Sequence, residues 1–156
     1  MLLGRNAEKS VTSFNNEAAQ LLLAGTLKDV AVSEDGIYLA PEDYQHPMLA
    51  AFRPVKDTVP WQRFPVFRYW QLGQENPGVR VVMPYSNGAP ALLERVVDGG
   101  RTLTMTTPVS DELDNDAWNV IPTGLEPWPF FVLSNEMAQY LVSGEEQQLN
   151  YTAAPG

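Results

Sequence analysis

The sequence predicts an α/β fold: a layered domain with a mixed β-sheet and helices packed on it. Three observations carry that reading. Short β-favouring runs recur between glycine and proline turn signals, and two segments space their apolar residues helically. The third is that 156 residues at 44% hydrophobic content suffice for one core.

Taken in order, Met1, Leu2 and Leu3 read as the end of a buried strand. Ser13 is placed to cap a helix to about residue 24, with Phe14, Ala18, Leu21 and Leu22 on one face and Gly25 as its stop. Val30 to Leu39 reads as two short strands around the turn Ser33-Glu34-Asp35-Gly36. Pro47 suits the first position of a short helix through Phe52, and 53–63, with Pro54 and Pro60, reads as irregular. Phe64 to Leu72 and Val79 to Met83 are strand-like, with Ser86-Asn87-Gly88 a turn. Leu92–Val97, Asp98-Gly99-Gly100 and Arg101–Thr107 form the clearest hairpin signal, because Asp-Gly supplies the positive φ of a tight turn. After an acidic loop over 108–127, Pro129 to Leu141 predicts a helix. Its inner face is Phe130, Leu133, Met137, Tyr140 and Leu141, and Gly144 ends it. Gln148 to Tyr151 reads as a last strand, and Ala153-Ala154-Pro155-Gly156 as linker. The organisation is thus one domain over 1–146 with a terminal strand or linker over 147–156. The truncated start and linker-like end suggest a domain excised from a larger protein.

Charge narrows the function. The net charge is -9, and after residue 78 three basic residues face ten acidic ones. Phosphate backbones and anionic membranes both select for cations, so neither is an expected partner. With no cysteine, disulfides, thiolate metal sites and a cysteine nucleophile are excluded. No apolar run approaches the ~20 residues of a membrane span, and the start carries no signal peptide, so the chain as written reads as soluble.

Several constellations have both a chemical and a plainer reading. His46 is the one histidine; it lacks an elbow nucleophile, and reads as a loop histidine bonding backbone before Pro47. Asp111, Glu112, Asp114 and Asp116 offer oxygen ligands but miss the Gly and closing Glu of a calcium loop, and read as a solvated loop. Trp61, Arg63, Phe64, Phe67, Arg68, Tyr69 and Trp70 mix aromatics with cations, as single-strand platforms do. In so acidic a chain they read better as a buried strand with arginine stems packed along rings.

One ordered series is distinctive: Asp43-Tyr44-Gln45-His46-Pro47-Met48-Leu49, Phe52, Phe67-Arg68-Tyr69-Trp70, then Gly88-Ala89-Pro90-Ala91-Leu92-Leu93-Glu94-Arg95. Gly100-Arg101-Thr102-Leu103, Thr106-Thr107, Trp118-Asn119, Ile121-Pro122 and the Phe130 helix follow. From about Leu2 to Leu141 this series resembles the glutamine-amidotransferase-like region of bacterial membrane proteins of the aerotolerance BatA type. Those proteins also carry membrane helices and a von Willebrand factor A domain. The resemblance implies a partial class I amidotransferase-like (flavodoxin-like) fold, in which Leu2-Leu3-Gly4 ends a central strand. It implies a membrane-anchored bacterial parent and a degenerate, non-catalytic copy of the fold.

The expected function is therefore a non-catalytic interaction or ligand-sensing domain, not an enzyme, with no cofactor. Its partner would be a protein or the neighbouring von Willebrand factor A domain, met through the aromatic strand rim, the acidic loop and, as anchors, Trp118 and Trp128. The alternative is a degenerate hydrolase- or amidotransferase-like domain binding a small molecule at the ancestral site, with His46, Glu42, Glu94 and Arg95 around it. A weaker third reading is cation binding by Asp111, Asp114 and Asp116.

Overall fold

Asp98 and Gly99 both take positive φ, 50° and 79°, so the chain reverses in two residues. That turn joins β4 (Pro90–Val97) to β5 (Gly100–Met105) in an antiparallel register running from Val97↔Gly100 to Leu92↔Met105. The computed structural model in which this is seen describes residues 1–109 and 116–149, excepting the side chains of residues 6 and 144–149. β3 (Val79–Pro84) pairs antiparallel on the other side of β4, giving a three-stranded sheet in the order β3-β4-β5. A second, two-stranded antiparallel sheet joins β1 (Gly25–Ile37) to β2 (Val66–Glu75). Helices packed with these antiparallel sheets make the chain α/β in class. Among the described residues the one parallel pairing is the isolated bridge Leu2↔Met105. There Leu3 N–H donates to the Met105 carbonyl, and Leu3 is fully buried.

Each face of the three-stranded sheet has its own cover. Directly opposed residues of an antiparallel pair point to the same face. Arg80, Glu94 and Leu103 are opposed across the three strands and therefore share one face. A long helix and a 3₁₀ helix (Pro47–Val55) pack over it, with Met48, Leu49, Phe52, Leu133 and Leu103 in the core between them. On the opposite face, Thr104 Oγ1 accepts from Ala24 N–H, and the Thr102 hydroxyl donates to the Leu22 carbonyl.

The N-terminal segment is not the single helix expected over 13–24. It forms three one-turn helices: α1 (Arg5–Glu8), α2 (Val11–Phe14) and α3 (Glu17–Gln20). Two asparagines divide the last two. Asn15 uses its side-chain amide to donate to the Leu27 carbonyl and accept from Leu27 N–H, while Asn16 caps α3 by accepting from Ala19 N–H at 2.8 Å. Leu21 and Leu22 are exposed and Leu23 is buried instead. Gly25 opens β1 rather than stopping a helix; a Cβ there would lie 2.7 Å from the Gln74 carbonyl.

Ser33-Glu34-Asp35-Gly36 is likewise not a hairpin turn. Both flanks pair with β2, as Val32↔Arg68 and Ile37↔Val66, so the extra residues bulge out of one continuous strand. Pro47 begins the 3₁₀ helix as expected, and that helix runs on to Val55. The last helix, α4, spans Trp128–Leu149, so Gly144 does not end it and Gln148 is helical rather than the start of a strand; the rest of that expected strand, from residue 150, lies outside the described residues. Leu133 is buried, and Phe130, Met137 and Tyr140 pack against the core; Leu141, one position round the helix, is exposed.

Gly36 and Gly88 give a test of backbone against packing. Both have positive φ, but a Cβ on Gly88 meets nothing within 4 Å, whereas one on Gly36 would lie 2.6 Å from Pro65 Cβ. Gly88→Ala is expected to cost about 1–2 kcal/mol in urea unfolding. Gly36→Ala is expected to cost about 1–3 kcal/mol more than that; equal losses would show that Pro65 moves freely.

Candidate functional site

Strand alternation puts the Glu94 side chain on the helix-covered face of the central strand β4, where the residue is 4% exposed. A carboxylate removed from water needs donors to replace its hydration. Glu94 has three, each from a different element. Tyr140 of α4 donates its hydroxyl to Oε1. Arg80 of β3 donates from Nη2 to Oε2 at 2.7 Å. His46, the residue before the 3₁₀ helix, reaches the same oxygen from Nε2 at 3.3 Å.

The other ring nitrogen fixes the protonation of His46. Met48 N–H can only donate, and it lies 3.2 Å from Nδ1, so Nδ1 is the acceptor that caps the 3₁₀ helix. The ring is then neutral with its proton on Nε2, donated to Glu94. Burial holds the His46 pKa below its ordinary value, with the Arg80 and Arg101 charges adding to that and Glu94 opposing it. Burial by itself would raise the Glu94 carboxyl, but the hydrogen bonds from Tyr140, Arg80 and His46 outweigh it and hold the group below its ordinary value. Tyr140 is pushed up by burial and by donating to Glu94. Its ring meets the His46 ring edge-on at 5.1 Å, and the Arg101 guanidinium lies 4.3 Å from its centroid.

Two clefts flank this network. One, of about 420 Å³, lies between the β3–β4–β5 sheet end and α4 and includes Arg80, Glu94, Arg101 and Tyr140. The other, of about 170 Å³, is lined by Asp43, Gln45, His46, Pro47 and the β3 residues Arg80 to Val82. Arg80 belongs to both.

The structure brings together two of the four residues expected around a small-molecule site, His46 and Glu94. Glu42 is an exposed loop residue that lines neither cleft. Arg95, one position along the strand, points to the opposite face, where Nη1 donates to the Gln20 and Leu23 carbonyls. His46 thus bonds a carboxylate as well as backbone. Trp118 is fully buried, in a cluster with Leu3, Leu23, Leu27 and Trp70, so it is no surface anchor; Trp128 is 37% exposed and packs near Phe52. The aromatic segment is buried only in part: Phe64, Tyr69 and Trp70 are buried, but β2 belongs to a two-stranded sheet and is not a central strand, and its arginine Arg68 pairs with Asp116 at 2.9 Å instead of packing along a ring. Asp111 and Asp114 lie outside the described residues, and among those described no group of three or more acidic or histidine side chains is arranged to hold a metal. Arg80, Arg101 and Tyr140 are the site residues that sequence reasoning missed. The hairpin register from Asp98-Gly99 was the available signal for Arg101, since it sets Arg101 on the Glu94 face.

No family model and no curated protein matches the chain. Among solved structures it is similar to the cytoplasmic protein STM3548 from Salmonella typhimurium, at 16% identity and a TM-score of 0.60. The match covers 83% of this chain and 47% of that one, so the chain spans about half the length of that neighbour. At this identity the likeness is one of fold alone. No helix among the described residues is long and apolar enough to cross a membrane.

The network predicts a two-step acid response. On unfolding, His46 returns to about 6.5 and takes up a proton that the folded ring resists, so stability falls as pH drops below that value. Glu94, held below 4.5, adds a second loss as pH falls through its folded value. Urea midpoints measured across pH should decline between about pH 7 and 5 in the wild type and stay flat there in His46→Gln. An equal decline in the variant would remove His46 as the origin.

Proposed function

We propose that this chain is a non-catalytic ligand-sensing domain that takes a small molecule beside the His46–Glu94–Tyr140 network. One observation carries the reading: the network satisfies its own hydrogen bonds internally while its outer side opens into two clefts. A histidine acting as general base needs a ring nitrogen free to accept the nucleophile's proton. In His46, Nδ1 already accepts from Met48 N–H and Nε2 carries the proton given to Glu94. Among the described residues no hydroxyl is bonded to the ring, so the geometry supports binding over turnover.

The wider context in this proposal comes from the resemblance of the ordered motifs. It is a degenerate, amidotransferase-like (flavodoxin-like) domain of a larger, membrane-anchored bacterial protein, with a von Willebrand factor A domain as neighbour. Of that context the parallel bridge of Leu2 to Met105 bears on the fold alone, being the kind of pairing expected where Leu2-Leu3-Gly4 ends a central strand.

The outer side of α4 favours a second reading, docking of a protein. Phe131 and Val142 are each 62% exposed on a helix whose inner side is also apolar. The two lie eleven residues apart, on one side of the helix, and exposed apolar side chains gathered on one side mark interaction surfaces.

The primary reading predicts that the wild type and His46→Ala hydrolyse glutamine and a p-nitrophenyl ester no faster than buffer. Turnover in the wild type that His46→Ala abolishes would overturn it. A panel of small metabolites should include compounds that raise the melting temperature by mass action on the folded state.

A further inference from the structure

We infer that the larger cleft, between the β4–β5 turn and α4, binds a small oxyanion, a carboxylate or phosphate group, gripped by Arg80 and Arg101; this rests on the ligand-sensing reading and names its ligand class. The argument begins with charge. In a chain of net charge -9, this cleft gathers two arginines, and Glu94 is the one acidic residue lining it. Glu94 does not cancel them both. Its two oxygens are committed to Tyr140, His46 and one nitrogen of Arg80.

The guanidinium groups retain unused donors. Arg80 gives Nη2 to Glu94, and its side chain is 59% exposed, leaving Nε and Nη1 toward the open side. Arg101 lies against the Tyr140 ring and makes a single long hydrogen bond, 3.5 Å from Nη1 to the Tyr140 carbonyl. Stacking fixes the plane of its fork while leaving the other nitrogens to a ligand, and a guanidinium fork matches the paired oxygens of a carboxylate or phosphate. Both positions are rigidly set: Arg80 opposes Glu94 in the β3–β4 ladder, and Arg101 opposes Val96 across the two-residue turn. The rim includes Gly78, Gly99 and Gly100, which bring no side chain of their own over the arginines. The cleft, at about 420 Å³, is of a size that small metabolites occupy.

The test is titration of the full chain with succinate, inorganic phosphate, neutral succinamide and cationic putrescine, by calorimetry and by amide chemical shifts. Succinate, phosphate or both should bind, shift the amides of Gly78, Gly99 and Gly100, and weaken as salt rises. Binding by one anion alone identifies the source as carboxylate or phosphate. Arg101→Gln should weaken binding about tenfold or more, and Arg101→Lys should recover part of it. The wild-type shift map decides the matter if Arg101→Gln does not fold. Anion binding that leaves those glycines unshifted overturns the inference. So does succinamide or putrescine binding in place of the anions, which leaves the ligand-sensing reading standing. If none of these probes nor any metabolite of the wider panel binds, both readings fall.

Discussion

A buried carboxylate organises this domain. Glu94 sits mid-strand in the centre of the three-stranded sheet, where a charge without donors would be costly. The donors come from the segment before the 3₁₀ helix, from β3 and from α4, which are far apart in sequence. Satisfying one charge therefore fixes the relative positions of three elements. Breaking any contact leaves part of that charge unpaired, which couples the packing of α4 to the protonation of the site.

A second polar knot, neutral this time, joins the two sheets. The Thr106 carbonyl accepts from Trp70 N–H at 2.8 Å, and its hydroxyl donates to the Pro90 carbonyl while accepting from Tyr85. Next to it, the Thr107 hydroxyl donates to the Arg68 carbonyl and accepts from Asn119. Asn119 also donates to the Pro108 carbonyl and accepts from Ile121 N–H, which ties the described end of the acidic loop into the core. The apolar clusters on either side are thus held by hydrogen bonds as well as by burial.

These two knots explain why the site faces outward as it does. Inside, the His46 and Tyr140 donors of the Glu94 network are spent on holding the fold. Outside, Arg80 and Arg101 project at the sheet end with donors unspent, where α4 walls the cleft without filling it. The chemistry that remains is recognition, and the charge lining the cleft is opposite in sign to that of the chain as a whole.

Much of this was legible in the chain. Asp98-Gly99 dictated a two-residue hairpin because positive φ at both positions permits little else, and Pro47 and the apolar spacing of 129–140 marked their helices. Composition fixed the acidity and the absence of thiol chemistry. His46 and Glu94 were both among the candidate site residues, though not as a pair. What the sequence did not determine were features set by contacts between distant residues. Asn15 breaks the first helix only because Leu27 lies beside it, and 33–36 bulges rather than turns because one partner strand runs past both flanks. Trp118 looked like a surface anchor until Trp70 and Leu3 were found around it. Arg95 and Arg101 exchange significance for the same reason: strand alternation gives each a face, but only the packing of α4 on one side and the N-terminal turns on the other decides which face holds a site. Local propensity reaches a few residues along the chain, whereas burial and charge pairing are properties of neighbours in space.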